Sequence, residues 1–237
     1  MNPDTKAKLQ GVSTATLASA LFKRGLFKQM IQDVSPLSPP RGGSMVGPAY
    51  TLRYMPARED LNPMGVFRDH SHPQRRAIEE CPPGSVLVMD SRKDPRAASA
   101  GGILCTRLMV RGVAGVVTDG GFRDSAEIGA LEMPSYHNRP SAPTNLTLHQ
   151  AIDLQVPIGC GDAPVFPGDI IVGDRDGCIV IPAAIADEIA DEAVEMTAFE
   201  DFVQERVRAG QITFGLYPPT DERNLVAFAE WRKQHNR

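Results

Sequence analysis

Three stretches of the chain predict an α/β fold. Residues 73–89 pass from a proline-opened helix through Pro82-Pro83-Gly84 into the apolar strand Val86-Leu87-Val88-Met89. Residues 101–124 run from a glycine-opened helix into a buried strand, then through a sharp glycine turn that delivers Arg123 and Asp124. Residues 170–181 read as two short apolar strands joined by the hairpin turn Asp174-Arg175-Asp176-Gly177. Repeated helix-to-strand passage is the pattern of α/β proteins, which place their sites at the carboxyl ends of strands. The Arg123-Asp124 pair stands at such an end.

The remaining elements follow in chain order. Ser13 or Thr14 caps a helix whose apolar face includes Leu17 and Leu21 and which ends at Gly25. Pro36, Pro39, Pro40 and Gly42-Gly43 are expected to break regular structure ahead of a strand at 45–54. Residues 56–73 are irregular and polar and read as a surface loop. A helix from Pro73 ends near Cys81. After the central motif, Asp124 or Ser125 starts a short helix, followed by a strand at 135–137 and a proline-marked loop around Pro140 and Pro143. Residues 165–169 form a turn into the hairpin. A long helix over 183–209 has Ala/Ile and Asp/Glu faces and stops at Gly210. The tail holds Tyr217 and an amphipathic stretch with Leu225, Phe228 and Trp231, suited to packing on a neighbouring subunit. The expected division is an α/β domain over 1–210 and an interface tail over 211–237.

Composition bounds the function. A chain of 237 residues, 42% apolar and 23% charged, buries one proper core. A net charge of −4 lacks the basic stripe of a nucleic-acid binder, so nucleic acid is not an expected partner. Cys81, Cys105, Cys160 and Cys178 are scattered and form no C-x-x-C pair; they are expected to be reduced and structural. Residues 1–9 are polar, and no window approaches the roughly 18 apolar residues of a membrane span. No membrane association is expected, and the predicted location is cytoplasmic. No G-x-G-x-x-G follows a strand, which argues against methyl transfer from S-adenosylmethionine.

The residue types at the central motif carry the chemistry. Backbone N–H groups freed at the helix start behind Gly101-Gly102 hold an anionic group, Arg123 holds a developing negative charge, and Asp124 holds a hard divalent cation. Together they suit enolate chemistry on a small keto acid. The motif contains no lysine, which disfavours a Schiff-base aldolase. Each feature also has a plainer reading: an N-cap with an exposed arginine for Arg123-Asp124, and a tight turn for Gly101-Gly102. Asp69-His70-Ser71-His72 spaces two imidazoles as zinc ligands on a strand would be, yet it lies in a loop and has no third ligand. Arg139, Ser141 and Asn145 read equally as turn residues or as pocket residues that select the substrate's tail.

The run from Gly112 to Asp124, GVAGVVTDGGFRD, preceded by Pro83-Gly-Ser-Val-Leu-Val-Met-Asp90 and followed by Pro167-Gly-Asp-Ile-Ile-Val-Gly-Asp174, resembles the RraA-like family. That family includes class II 4-hydroxy-4-methyl-2-oxoglutarate/4-carboxy-4-hydroxy-2-oxoadipate aldolases and a regulator of ribonuclease E. The resemblance covers most of residues 11–210. It implies a compact swivelling-domain-like (β/β/α) sandwich with a long C-terminal helix, assembled as a homotrimer or hexamer with sites between subunits.

For the aldolase branch, the resemblance implies that Asp124 binds Mg²⁺ or Mn²⁺ largely through waters and that Arg123 contacts the keto oxygen of pyruvate. The amides of Ile103 and Leu104 receive its carboxylate. A glutamate from the neighbour's long helix completes the outer shell; Glu200 is the candidate, with Glu195 and Glu205 as rivals. The implied activity is retro-aldol release of pyruvate from a 4-hydroxy-2-oxo diacid or a related sugar-derived keto acid, with oxaloacetate decarboxylation through the same enolate. The regulator branch implies instead a non-catalytic protein acting by contact. Gly102 departs from the aldolase pattern, which has Asp or Glu just before the two amides. Weak metal binding is therefore expected, with Gly102→Asp expected to tighten it about tenfold.

Overall fold

The computed structural model describes residues 1–237. Seven helices form: α1 (Pro3–Gln10), α2 (Thr14–Lys23), α3 (Pro73–Glu80), α4 (Gly102–Val110), α5 (Ser125–Ala130), α6 (Ala186–Arg208) and α7 (Glu222–His235). The strands are β1 (Met30–Ile31), β2 (Ser35–Ser38), β3 (Met45–Pro56), β4 (Val86–Asp90), β5 (Ala98–Ala100), β6 (Gly115–Thr118), β7 (Gly121–Phe122), β8 (Ser135–His137), β9 (Arg139–Pro140), β10 (His149–Leu154), β11 (Ile158–Cys160), β12 (Ala163–Val165), β13 (Ile170–Gly173) and β14 (Cys178–Ile181). The α/β expectation is met.

A mixed main sheet runs β1-β14-β13-β3-β4-β6-β8-β2, with β10 also paired to β3. Its centre, β3-β4-β6-β8, is parallel. Parallel strands are covered on both faces and so read as unbroken apolar runs, as Val86–Met89 and Val116-Val117 do. Alternation sends Leu87 and Met89 into a core shared with Cys105, Leu108 and Phe122, while Val86 and Val88 face Tyr136, Ile171 and Val180. A third cluster joins α2 and α6 to the sheet through Leu17, Leu21, Val172, Ile179 and Ile189. The predicted hairpin is present as the antiparallel pair β13–β14, in register from Ile170↔Ile181 to Gly173↔Cys178.

A second sheet, β5-β7-β9, is parallel and three-stranded. β7 begins three residues after β6 ends, and β9 begins two residues after β8 ends, so this small sheet continues the chain just past the carboxyl ends of the central strands. It positions the candidate site.

Several elements differ from the sequence reading. The proline-rich stretch does contain a strand: β2 pairs antiparallel with β8, with its register broken between Pro36 and Ser38. It is the last strand of the sheet, where a residue without an N–H can be tolerated. Helix α1 was not expected, because only Thr5 and Leu9 of its eight residues are buried and no apolar period marks it. The long helix begins at Ala186, after a short 3₁₀ turn at Ala183–Ile185. The tail folds back on its own chain: Trp231 and Leu216 pack with Phe202 and Val203 of α6, and the Trp231 indole N–H donates to Glu205 at 2.7 Å. Tyr217 and Phe214 stay exposed. All four cysteines are buried and unpaired, and no helix is long and apolar enough to cross a membrane.

Candidate active site

The turn after β6 is shaped by space rather than by unusual backbone angles. Ser91, Ser99 and Thr118 hydroxyls meet in a buried cluster, with Oγ–Oγ separations of 2.6 Å (Ser91–Ser99) and 2.7 Å (Ser99 to Thr118 Oγ1). Gly120 lies against it, its N–H donating to Thr118 Oγ1 at 3.0 Å. A Cβ at Gly120 would sit 2.6 Å from Ser99 Oγ, and one at Gly121 2.7 Å from Ser141 Cβ. Beneath the turn, the fully buried Asp119 carboxylate accepts N–H bonds from Ser91 (2.6 Å), Gly161 (3.1 Å) and Lys93 (3.2 Å), pinning three loops together. Burial pushes Asp119 up to about 6, against the N–H donors that favour its charged form.

From this base β7 delivers Arg123 and Asp124 to the start of α4. Asp124 adopts the left-handed conformation (φ 56°), one of the residue types that tolerates it. Its Oδ2 accepts the Gly102 N–H at 3.0 Å and lies 3.4 Å from Arg123 Nε. The first turn of a helix has N–H groups with no intrahelical acceptor. Asp124 takes that of Gly102; no protein acceptor takes those of Ile103 and Leu104. Both side chains lie over bare glycine: a Cβ at Gly101 would be 2.7 Å from Asp124 Oδ2 and 2.9 Å from Arg123 Cγ.

A cavity of about 260 Å³ opens here, lined by Gly101, Ile103, Leu104, Arg123 and Asp124. The rest of the lining comes from segments outside that motif. Met64 and Phe67 stand on a 3₁₀ turn (Met64–Arg68) inside the expected surface loop, Gln74 and Arg75 on α3, and Thr144 and Asn145 on the proline-marked loop. Asn145 thus lines the pocket, whereas Arg139 and Ser141 do not. Gln74 is buried and ties its wall to β5 by donating to the Ser99 carbonyl at 2.7 Å. Cys105, on α4, is no nucleophile: burial, with Asp124 nearby, pushes its thiol up to about 12.

Gly102 has an unexpected neighbour. A Cβ there would fall 2.5 Å from Glu127 Oε2 and 3.3 Å from Asp124 Cβ. The side-chain space at 102 is already filled by a carboxylate from α5, three residues after Asp124. Sequence reading missed Glu127 because α4 and α5 meet only in the fold. Glu200 lies outside this pocket, on α6, and accepts the Thr16 hydroxyl at 2.7 Å. Its rivals bind α7: Glu195 pairs with Arg232 and Glu205 with Trp231. The two imidazoles at 70 and 72 do not form a metal site: His72 is buried against Phe67, His70 is exposed, and no group of three His, Cys, Asp or Glu is arranged to hold an ion.

The Aldolase/RraA family model, RraA-like, matches residues 14–180, which include every residue of the cavity. The chain belongs to the RraA-like family. A Halalkalibacterium halodurans protein named "Putative 4-hydroxy-4-methyl-2-oxoglutarate aldolase" is 34% identical over 131 residues, 55% of this chain and 61% of that protein. The chain thus spans about three-fifths of that relative's length. A Thermus thermophilus protein named 4-hydroxy-4-methyl-2-oxoglutarate aldolase is 30% identical over 122 residues, 49% of this chain and 70% of that protein. The crystal structure of Streptomyces coelicolor RraAS2, described as an unusual member of the RNase ES inhibitor RraA protein family, superposes with a TM-score of 0.75 at 27% identity, covering 86% of this chain and 97% of that one.

Proposed function

We propose that this RraA-like protein is a divalent-metal-dependent carbon–carbon lyase that releases pyruvate from a 4-hydroxy-2-oxo diacid and also decarboxylates oxaloacetate. The observation that carries this reading is the convergence of a guanidinium, a carboxylate and two free helix amides on one small cavity. The relatives named as aldolases support it.

In retro-aldol cleavage a base takes the proton of the C4 hydroxyl and the C3–C4 bond breaks. The freed electron pair becomes the enolate, with its charge on the former keto oxygen, and protonation at C3 yields pyruvate. Loss of CO₂ from oxaloacetate generates the same enolate. The N–H groups of Ile103 and Leu104 hold the substrate carboxylate at the positive end of α4. Arg123 then faces the keto oxygen, where one well-placed donor lowers the barrier by about 3 to 4 kcal/mol. Asp124 bonds to Gly102 N–H, which fixes the carboxylate at the pocket's edge.

The donors fit Mg²⁺ or Mn²⁺: Asp124, whose carboxylate lies over Gly101, and Glu127, whose carboxylate lies over Gly102 just outside the cavity lining, would supply hard oxygen ligands. Such an ion supplies positive charge at the developing enolate. Because one chain brings no third ligand, Glu200 from a neighbouring copy in a homotrimer or hexamer completes the set in this reading. The second reading, a regulator acting by protein contact, draws on the Streptomyces relative's description. A coupled pyruvate-release assay over a panel of 2-oxo acids, with Mg²⁺ or Mn²⁺ and with chelator, separates the two. Metal-dependent turnover is expected; no turnover on any 2-oxo diacid overturns the lyase reading in favour of the regulator.

A further inference from the structure

The cavity holds two guanidinium groups and only one acid. Arg123 has Asp124 beside it at 3.4 Å. Arg75 forms no ion pair with any carboxylate of the chain, although its neighbour Arg76 pairs with Glu80 at 2.8 Å. It is half-buried, its Nε is shut off from solvent with no hydrogen-bond partner, and its guanidinium lies 4.7 Å over the Phe67 ring. A buried donor on a charged group is costly to leave unmet. No side chain of the pocket accepts from it; the amide groups of Gln74 and Asn145 themselves donate elsewhere, to the Ser99 carbonyl and Tyr54 and to the His149 carbonyl.

We propose that Arg75 is a specificity-determining residue that receives the distal carboxylate of the substrate, so that the site selects 2-oxo dicarboxylates over 2-oxo monocarboxylates. This rests on the lyase reading of the same pocket. Arg123 and the α4 amides engage the pyruvyl end, and Arg75, on α3, lines the same cavity. Stacking on Phe67 limits the freedom of the planar fork, whose donors match a carboxylate in bidentate fashion. The cavity is small for a ligand pocket, about 260 Å³, which suits a metabolite with both ends held.

The test is isothermal titration of the full chain, with Mg²⁺ present, against a matched pair of non-cleavable probes. 2-Oxoglutarate has the five-carbon backbone of a 2-oxo diacid; 2-oxobutyrate lacks the second carboxylate. The wild type is expected to bind 2-oxoglutarate at least tenfold more tightly. Arg75→Met should erase that preference, weakening 2-oxoglutarate at least tenfold and 2-oxobutyrate less than twofold. Phe67→Leu, which keeps the charge and removes the stack, should fall between. If the wild type binds both probes equally, or Arg75→Met weakens both alike, the assignment is overturned while the lyase reading stands. If the wild type binds neither probe, the assignment is overturned, and the pyruvate-release assay decides the lyase reading separately. Should Arg75→Met fail to fold, Arg75→Gln provides the same comparison.

Discussion

Replacing Gly101 by alanine adds one methyl group at the point where both reactive side chains cross the backbone. Gly101 has φ −131° and ψ −179°, a conformation open to alanine, so no backbone strain arises. The added Cβ would sit 2.7 Å from Asp124 Oδ2 and 2.9 Å from Arg123 Cγ, too close for either to stay. Both side chains are roughly half exposed and have room to swing toward solvent, which keeps the cost to folding below about 1 kcal/mol. Function has no such escape. Asp124 loses its 3.0 Å bond to Gly102 N–H, and a shift of about 1 Å in a positioned group costs on the order of a hundredfold in rate. Gly101→Ala should therefore lower kcat/KM for pyruvate release about a hundredfold while its Tm stays within a few degrees of wild type. Gly159→Ala, whose Cβ would meet nothing within 4 Å, serves as the silent control. A Gly101→Ala enzyme with near-native kcat/KM would refute the placement of Arg123 and Asp124 against this glycine.

Gly102→Asp alone should not tighten Mn²⁺ binding in a titration followed by electron paramagnetic resonance, because its side chain would compete with Glu127 for one space. Gly102→Asp combined with Glu127→Ala should bind Mn²⁺ more tightly than Glu127→Ala alone; equal affinities in these two would show that the position does not face the ion. Asp119 sets a pH dependence: its carboxyl lies near 6 in the fold against an ordinary 3.8. Between about pH 4 and 6 the folded chain keeps a proton that the unfolded chain has released, so this group's contribution falls as pH rises, by up to about 3 kcal/mol in all. Urea midpoints for wild type and Asp119→Asn should show wild type losing ground to the variant from pH 4.5 to 7, and the opposite trend would contradict it. Light scattering at micromolar concentration should report a trimer or hexamer; a stable monomer would remove Glu200 from the site.

What the sequence made legible was whatever repeats locally. The strand 86–89, the hairpin at Asp174–Gly177, the cap at Ser13 and the helix start at Pro73 declare themselves through a few neighbouring residues. Gly101, Ile103, Leu104, Arg123 and Asp124 came to light together because one short run of chain carries both halves of the motif. The rest of the lining was invisible for the converse reason. Phe67 and Arg75 sit on a 3₁₀ turn and a short helix whose only link to Arg123 is tertiary, and Glu127 gains meaning solely from the missing side chain at Gly102. Strand β10 was missed because its buried positions are His149 and Ala151 while Ile152 and Leu154 are only half-buried, so its apolar residues mark no inward face. The glycines at 120 and 121 read as a turn signal, yet their reason is the close approach of Ser99 and Ser141.

The central claim is that Arg123 and Asp124 act on a developing enolate at this cavity. Steady-state pyruvate release from a 4-hydroxy-2-oxo diacid, compared among wild type, Arg123→Ala and Asp124→Ala at saturating Mg²⁺, tests it most directly. Circular dichroism and Tm should match wild type in both variants. Arg123→Ala should lose at least a hundredfold in kcat, and Asp124→Ala should lose its metal-dependent turnover. Near-native kinetics in both folded variants would place the chemistry elsewhere in the molecule.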